Sequence, residues 1–168
     1  KGGTVLYYDE SYLFIEGQDL RDTFDDRTHG DYDKVTISNN RIIAIGNPSH
    51  NTSGRIYLMY YDSSDGWKGI GGTNGISGQS GLGISLELSN NGERLIACSR
   101  KSNNGSSHLL NIYSIEQPTD SNYNLVLSST INLTDIAGEV VSGQYIPYLA
   151  RISGDGQTII VASKYRSK

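Results

Sequence analysis

The chain has 168 residues, with 14 Lys and Arg against 18 Asp and Glu and a formal net charge of −4. That near-balance leaves no electrostatic footprint for nucleic acid, and no apolar run nears the roughly 18 residues of a membrane helix, so neither nucleic acid nor membrane insertion is expected. One cysteine excludes an internal disulfide framework, while 20 glycines against 3 prolines suit short strands joined by tight turns.

The chain opens on Lys1 rather than Met, which points to a processed product or a segment of something longer. Thr4-Val5-Leu6-Tyr7-Tyr8 reads as a strand, and a short second one follows around Tyr12 to Ile15. Residues 18–33 form an acidic loop carrying Asp19, Asp22, Asp25, Asp26, Asp31 and Asp33, interrupted by Arg21 and Arg27. Next come two strands, Val35 to Ser38 and Arg41 to Gly46, around Asn39-Asn40. The same pair returns as Leu82 to Ser89 with Arg94 to Ser99, around Asn90-Asn91-Gly92. It returns again as Ile146 to Ser153 with Thr158 to Ser163. Asn and Gly tolerate positive φ at little steric cost, so these are turn sequences. In the middle copy Leu82, Ile84, Leu86 and Leu88 alternate with Gly83, Ser85, Glu87 and Ser89, the period of a strand with one buried face.

The copies superpose residue by residue: Ile42 with Leu95 and Ile159, Ile43 with Ile96 and Ile160, Ala44 with Ala97 and Val161. Third strands match in the same way, Arg55 with Thr4 and His108, Tyr57 with Leu6 and Leu110. Self-similarity of this kind marks a repeat architecture, and units of four strands predict the blades of an all-β propeller. The units are approximately 19–72, 73–135, and 1–18 combined with 136–168, all within a single domain or propeller segment. Three blades' worth of strands is fewer than the usual four to eight. The ring is therefore part of a larger propeller, is completed by several chains, or is an unusually small one closed by pairing the first and last segments.

Ala44-Ile45-Gly46-Asn47-Pro48 followed by Ser53-Gly54-Arg55-Ile56-Tyr57 resembles the second half of the FG-GAP repeat of integrin α-chain propellers. Leu82-Gly83-Ile84-Ser85-Leu86 is similar to its first half, with Leu in place of Phe. The order Trp67, Ile70-Gly71-Gly72, Gly83 to Ser89, Asn91-Gly92 and Leu95-Ile96-Ala97 most resembles the FG-GAP-like repeats of multi-repeat proteins in algae, bacteria and giant DNA viruses. The resemblance implies a β-propeller used for binding or assembly, on a cell surface or in a virion, and implies no catalytic activity. It weakens at Asp31-Tyr32 and Ile146-Pro147, which stand where the middle unit has Leu82-Gly83.

Integrin-type repeats often hold calcium in a loop that aims several hard oxygens at one cation, but no loop here has that spacing. No metal or other cofactor is expected, and Asp25, Asp26 and Asp31 in the acidic loop are the only candidates for a cation. Ser153-Gly154-Asp155-Gly156-Gln157-Thr158 approaches a sialidase-type Asp-box, but it is one residue short and lacks the Trp. A hairpin turn accounts for it. Cys98, set beside Ile45 and Ala162 by the superposition, reads as a small buried hydrophobe rather than a nucleophile. His29, His50 and His108 show no ligand spacing. Trp67, Tyr145 and Tyr148 are the candidate binding residues, Trp67 either anchoring a partner or packing between blades. Asn51, Asn104 and Asn132 lie in glycosylation triplets.

Two functions follow. One is a non-catalytic structural or interaction module, with other protein chains, further copies of itself, or a glycan as partner. The other is a propeller-fold carbohydrate-active enzyme, a glycoside hydrolase or lyase. That enzyme needs carboxylates recurring at the start of the first strands. Asp31 and Asp33 stand there in one unit, but Leu82 and Ile84, then Ile146 and Tyr148, stand there in the others. The module is the expected role.

Overall fold

The structure, a computed structural model, describes residues 7–8, 14–15, 34–101, 108–119, 122–133 and 145–165. Among these, every regular element is a strand, and no helix is long and apolar enough to cross a membrane. The strands are β1 (Tyr7–Tyr8), β2 (Phe14–Ile15), β3 (Lys34–Ile37), β4 (Ile42–Asn47), β5 (Arg55–Asp62) and β6 (Gly66–Asn74). They continue with β7 (Gln79–Leu88), β8 (Arg94–Lys101), β9 (His108–Thr119), β10 (Asn122–Asn132), β11 (Tyr145–Ile152) and β12 (Ile159–Tyr165). A first sheet, β3-β4-β5-β6, and a second, β7-β8-β9-β10, are four-stranded antiparallel meanders. β11 and β12 form a two-stranded third sheet, and β1 with β2 a separate pair. The all-β expectation with four-stranded antiparallel units is met. No closed ring forms among the described residues, because β1–β2 and β11–β12 are two sheets rather than one.

The sheets stack face to face, which explains why β4 and β8 carry continuous apolar runs, Ile42 to Ile45 and Leu95 to Cys98, rather than alternating. Ile42 and Ala44 turn toward the second sheet and pack with Leu86, Leu95 and Ala97. Ile43 and Ile45 turn the opposite way, into a buried cluster with Tyr57, Met59 and Trp67. In β8 the pattern repeats: Leu95 and Ala97 face the first sheet, while Ile96 and Cys98 meet Ala150 and Ile152 of the third. Full burial of one such Leu or Ile side chain contributes about 1.5–3 kcal/mol. The second strand of the middle sheet, β8, thus joins the stack from both sides.

The first strands lie side by side, β3 against β7 and β7 against β11. Leu88 N–H donates to Thr36 Oγ1 at 3.2 Å, and Ile152 N–H donates to Glu87 Oε2 at 2.8 Å, the same step taken twice. Near the far end of β4 the two sheets touch backbone to backbone. A Cβ on Gly46 would stand 2.4 Å from the Gly83 carbonyl oxygen, so no larger residue fits without moving a sheet.

The first unit is offset by one residue from the expected superposition. Ile37 pairs with Ile43, whereas Leu88 pairs with Leu95 and Ile152 with Ile159. Ile43, not Ile42, is therefore the counterpart of Leu95 and Ile159, and the core faces agree. Turn length is the cause. Ser38 N–H reaches the Ile42 carbonyl, while Ser89 and Ser153 reach Arg94 and Thr158, one residue further along. Side chains alternate with a period of two, so a one-residue offset exchanges the faces. Cys98 accordingly matches Gly46 and Ala162, Tyr57 matches Asn111, and His108 matches Gly54.

Candidate functional site

The turns β3–β4, β7–β8 and β11–β12 are each organised by one serine. Ser89 Oγ accepts from Arg94 N–H at 3.0 Å and donates to Asn91 Oδ1 at 2.7 Å. Ser153 Oγ accepts from Thr158 N–H at 2.9 Å and donates to Asp155 Oδ1. Ser38 does the same with Ile42 N–H, at 3.1 Å, and Asn40 Oδ1. Short side-chain oxygens that bond the nearby backbone are what make Ser, Asn and Asp turn residues. The third residue after each serine takes positive φ: 66° at Arg41, 68° at Gly92 and 73° at Gly156.

The turns are also bonded to one another. Asn39 N–H donates to the Asn90 carbonyl at 2.8 Å, and Asn90 N–H to the Gly154 carbonyl at 3.0 Å. These are equivalent positions, so a single main-chain bond runs from unit to unit along one rim. Asn40 Nδ2 adds a bond to the Asn91 carbonyl at 2.9 Å. Above this ladder lies an open groove of about 580 Å³, lined by Asn39, Asn40, Asn90, Asn91, Gly154 and Asp155. Four asparagine side chains and one aspartate line it, Asn40 and Asn91 already bonded within and between the turns, and carbon makes up most of the surface that faces the opening. The Ser153 hydroxyl and the Gln157 N–H hold the Asp155 carboxyl below its usual range, so it is ionised at neutral pH.

The sequence-derived candidates are placed as follows. Trp67 is buried at 2 % exposure against Ile43, Ile45, Tyr57 and Met59, with the Tyr61 ring 5.2 Å away at a steep angle. Tyr145 opens β11 and pairs with Tyr165, while Tyr148 lies at the irregularity between Pro147 and Leu149. None of these three lines the groove. Asp25, Asp26 and Asp31 lie outside the described residues, as do His29 and Asn104. No group of three His, Cys, Asp or Glu residues suited to a metal gathers among the described residues. Cys98 is fully buried, and burial pushes its thiol up to about 11, so it is protonated at neutral pH. His50 stands edge-on to Tyr57, and His108 is buried at the start of β9.

The second sheet also holds a buried polar network that the sequence pattern does not announce. Gln79 Nε2 donates to Asn111 Oδ1 at 3.1 Å, Asn111 Nδ2 to Ser99 Oγ at 3.0 Å, and Thr130 Oγ1 to Asn111 Oδ1 at 2.9 Å. It joins all four strands of the second sheet. The signal was Asn111 itself, polar in the apolar run of Leu109, Leu110 and Ile112.

Compared with known proteins, the chain matches no protein-family model and no curated protein.

Proposed function

We propose that this chain is a non-catalytic structural or interaction module, a propeller-type scaffold of the FG-GAP-like kind. Its role is to hold rigid loops toward protein or glycan partners, as a component of a cell surface or virion. The observation that carries this reading is the rim, where three equivalent turns are locked together by main-chain bonds and present an amide-lined groove. Preorganised amides and a single ionised carboxylate suit hydrogen bonding to sugar hydroxyls or to a peptide backbone. The sequence resemblance supports the propeller, since stacked four-stranded units with adjacent first strands are the arrangement it implies. Glycan-array and immobilised-protein binding with the intact chain is the test. Binding that is lost in Asn40→Leu and Asp155→Leu, with folding retained, supports the reading. Turnover of a polysaccharide by the purified chain overturns it in favour of a carbohydrate-active enzyme.

A further inference from the structure

The loop between β4 and β5, residues 48–54, is fastened by its main chain and turns one side chain outward. Gly54 N–H donates to the His50 carbonyl at 2.8 Å. From β7, Gly81 N–H donates to the Thr52 carbonyl at 3.3 Å and Leu82 N–H to the Ser53 carbonyl at 2.9 Å. Within the loop Ser53 N–H closes on the Asn51 carbonyl at 2.8 Å, a three-residue turn with Thr52 at its apex. Asn51 and Thr52 take φ of 44° and 64°, and both are exposed. Asn51 thus stands at the tip, with the Ser53 hydroxyl two positions on. Its Nδ2 donates to His50 Nε2 at 2.9 Å.

Asn132-Leu133-Thr134 has the same acceptor pattern in a different setting. Asn132 is half-buried and pairs with Leu109 in the ladder of β9 and β10, while Leu133 packs against the third buried cluster. A glycan stem there begins inside the sheet, whereas at Asn51 it begins in solvent. Because an N-linked oligosaccharide is bulky and hydrophilic, it belongs on an exposed loop.

We infer that Asn51 is an acceptor for N-linked glycan, taking oligosaccharide from a lipid-pyrophosphate donor as the chain passes through a secretory compartment. The route rests on the cell-surface reading above, and the choice of Asn51 rests on the loop. In the transfer, Asn51 Nδ2 bonds to C1 of the donor sugar, the C1–O bond breaks, the lipid pyrophosphate leaves, and the nitrogen gives up one proton. An amide nitrogen carries two hydrogens, so one remains to keep the bond to His50. The loop stands at the opposite end of β4 from the Asn39-Asn40 turn, about 20 Å away for a six-residue strand. A glycan on Asn51 therefore leaves the rim groove open, and decoration and partner binding occupy opposite ends of the first sheet.

The full chain, secreted from a eukaryotic cell behind a cleavable leader, tests this. Intact mass is measured before and after an N-glycosidase, which converts the carrier Asn to Asp and so marks the site for peptide mapping. The expected result is a mass excess that the glycosidase removes, with the mark at position 51. Asn51→Gln and Ser53→Ala are each expected to lose this glycan with unchanged β circular dichroism, and Ser53→Thr to keep it. A secreted, folded chain unmodified at Asn51 overturns the inference, as does a glycan on Asn132 in place of Asn51, or one on Asn51 that persists in Ser53→Ala. Each of these results leaves the module reading standing. That reading falls instead to polysaccharide turnover, whatever Asn51 carries.

Discussion

Arg41 occupies the same backbone position in its turn that Gly92 occupies in the next, with φ of 66° against 68°. A side chain in this left-handed region is disfavoured by roughly 1–2 kcal/mol, and glycine carries an entropic penalty of roughly 0.5–1 kcal/mol in return. The Arg41 guanidinium also lies 5.8 Å from the Tyr61 ring centre. These terms nearly cancel, so Arg41→Gly is expected within about 1 kcal/mol of wild type by urea denaturation.

Gly92→Ala is a different matter. Its new Cβ meets the same left-handed strain and lands 2.2 Å from Asn40 Oδ1, disturbing the bond from Asn40 to the Asn91 carbonyl. A loss of about 1–3 kcal/mol is expected. A silent Gly92→Ala would mean that the rim is not held as described.

Ser89 is fully buried and links Arg94 N–H to Asn91 Oδ1. Ser89→Ala leaves that N–H without its side-chain acceptor and should lower stability by about 1–3 kcal/mol. Ser38→Ala should act alike, because Ile42 N–H depends on Ser38 Oγ. Equal denaturation midpoints for wild type and both variants would count against the serine hub.

Alkaline pH should weaken the fold in a defined window. Burial pushes the Cys98 thiol from 9.0 up to about 11 and the Tyr113 hydroxyl from 10.0 up to about 12. Both groups ionise more readily in the unfolded chain, so their contribution is complete below pH 9 and is lost as pH rises toward 12. For Cys98 the loss amounts to about 2–3 kcal/mol. Cys98→Ala, expected to be around 1 kcal/mol less stable at neutral pH, should lose less between pH 9 and 11. Identical pH slopes in the two proteins would place the alkaline transition elsewhere.

Asn111→Leu removes the centre of the buried network and leaves Gln79 Nε2 without its acceptor, while Ser99 keeps only its bond to Gln79 Oε1 at 3.1 Å. A destabilisation of about 2–3 kcal/mol is expected, since an unpartnered buried polar group loses its hydration without return. Thermal unfolding monitored by circular dichroism measures it; a midpoint at or above that of wild type would show the network to be dispensable.

The strand pairs and their turns were readable in the sequence because they are local: a serine, two turn residues and a return of apolar residues. What lies between units was not. The missing residue in the Ser38 turn shifts Ile43 rather than Ile42 into the place of Leu95, and apolar residues on both faces of β4 hide that shift from any count of hydrophobics. The groove is illegible in the sequence for a related reason. Asn39, Asn90 and Gly154 converge only when sheets stack, and no spacing along the chain announces it. Gln79 and Asn111 likewise sit on the two strands that flank β8, so their meeting depends on the whole meander.

The ladder along the rim is made of main-chain groups alone, and its three positions carry Asn39, Asn90 and Gly154. Replacing one of these side chains leaves the N–H and the carbonyl where they were. Cohesion between units and the chemistry displayed above them are therefore separate inheritances. Mutation can rewrite the exposed surface unit by unit, acquiring or discarding specificities, while the seam beneath is passed on unchanged.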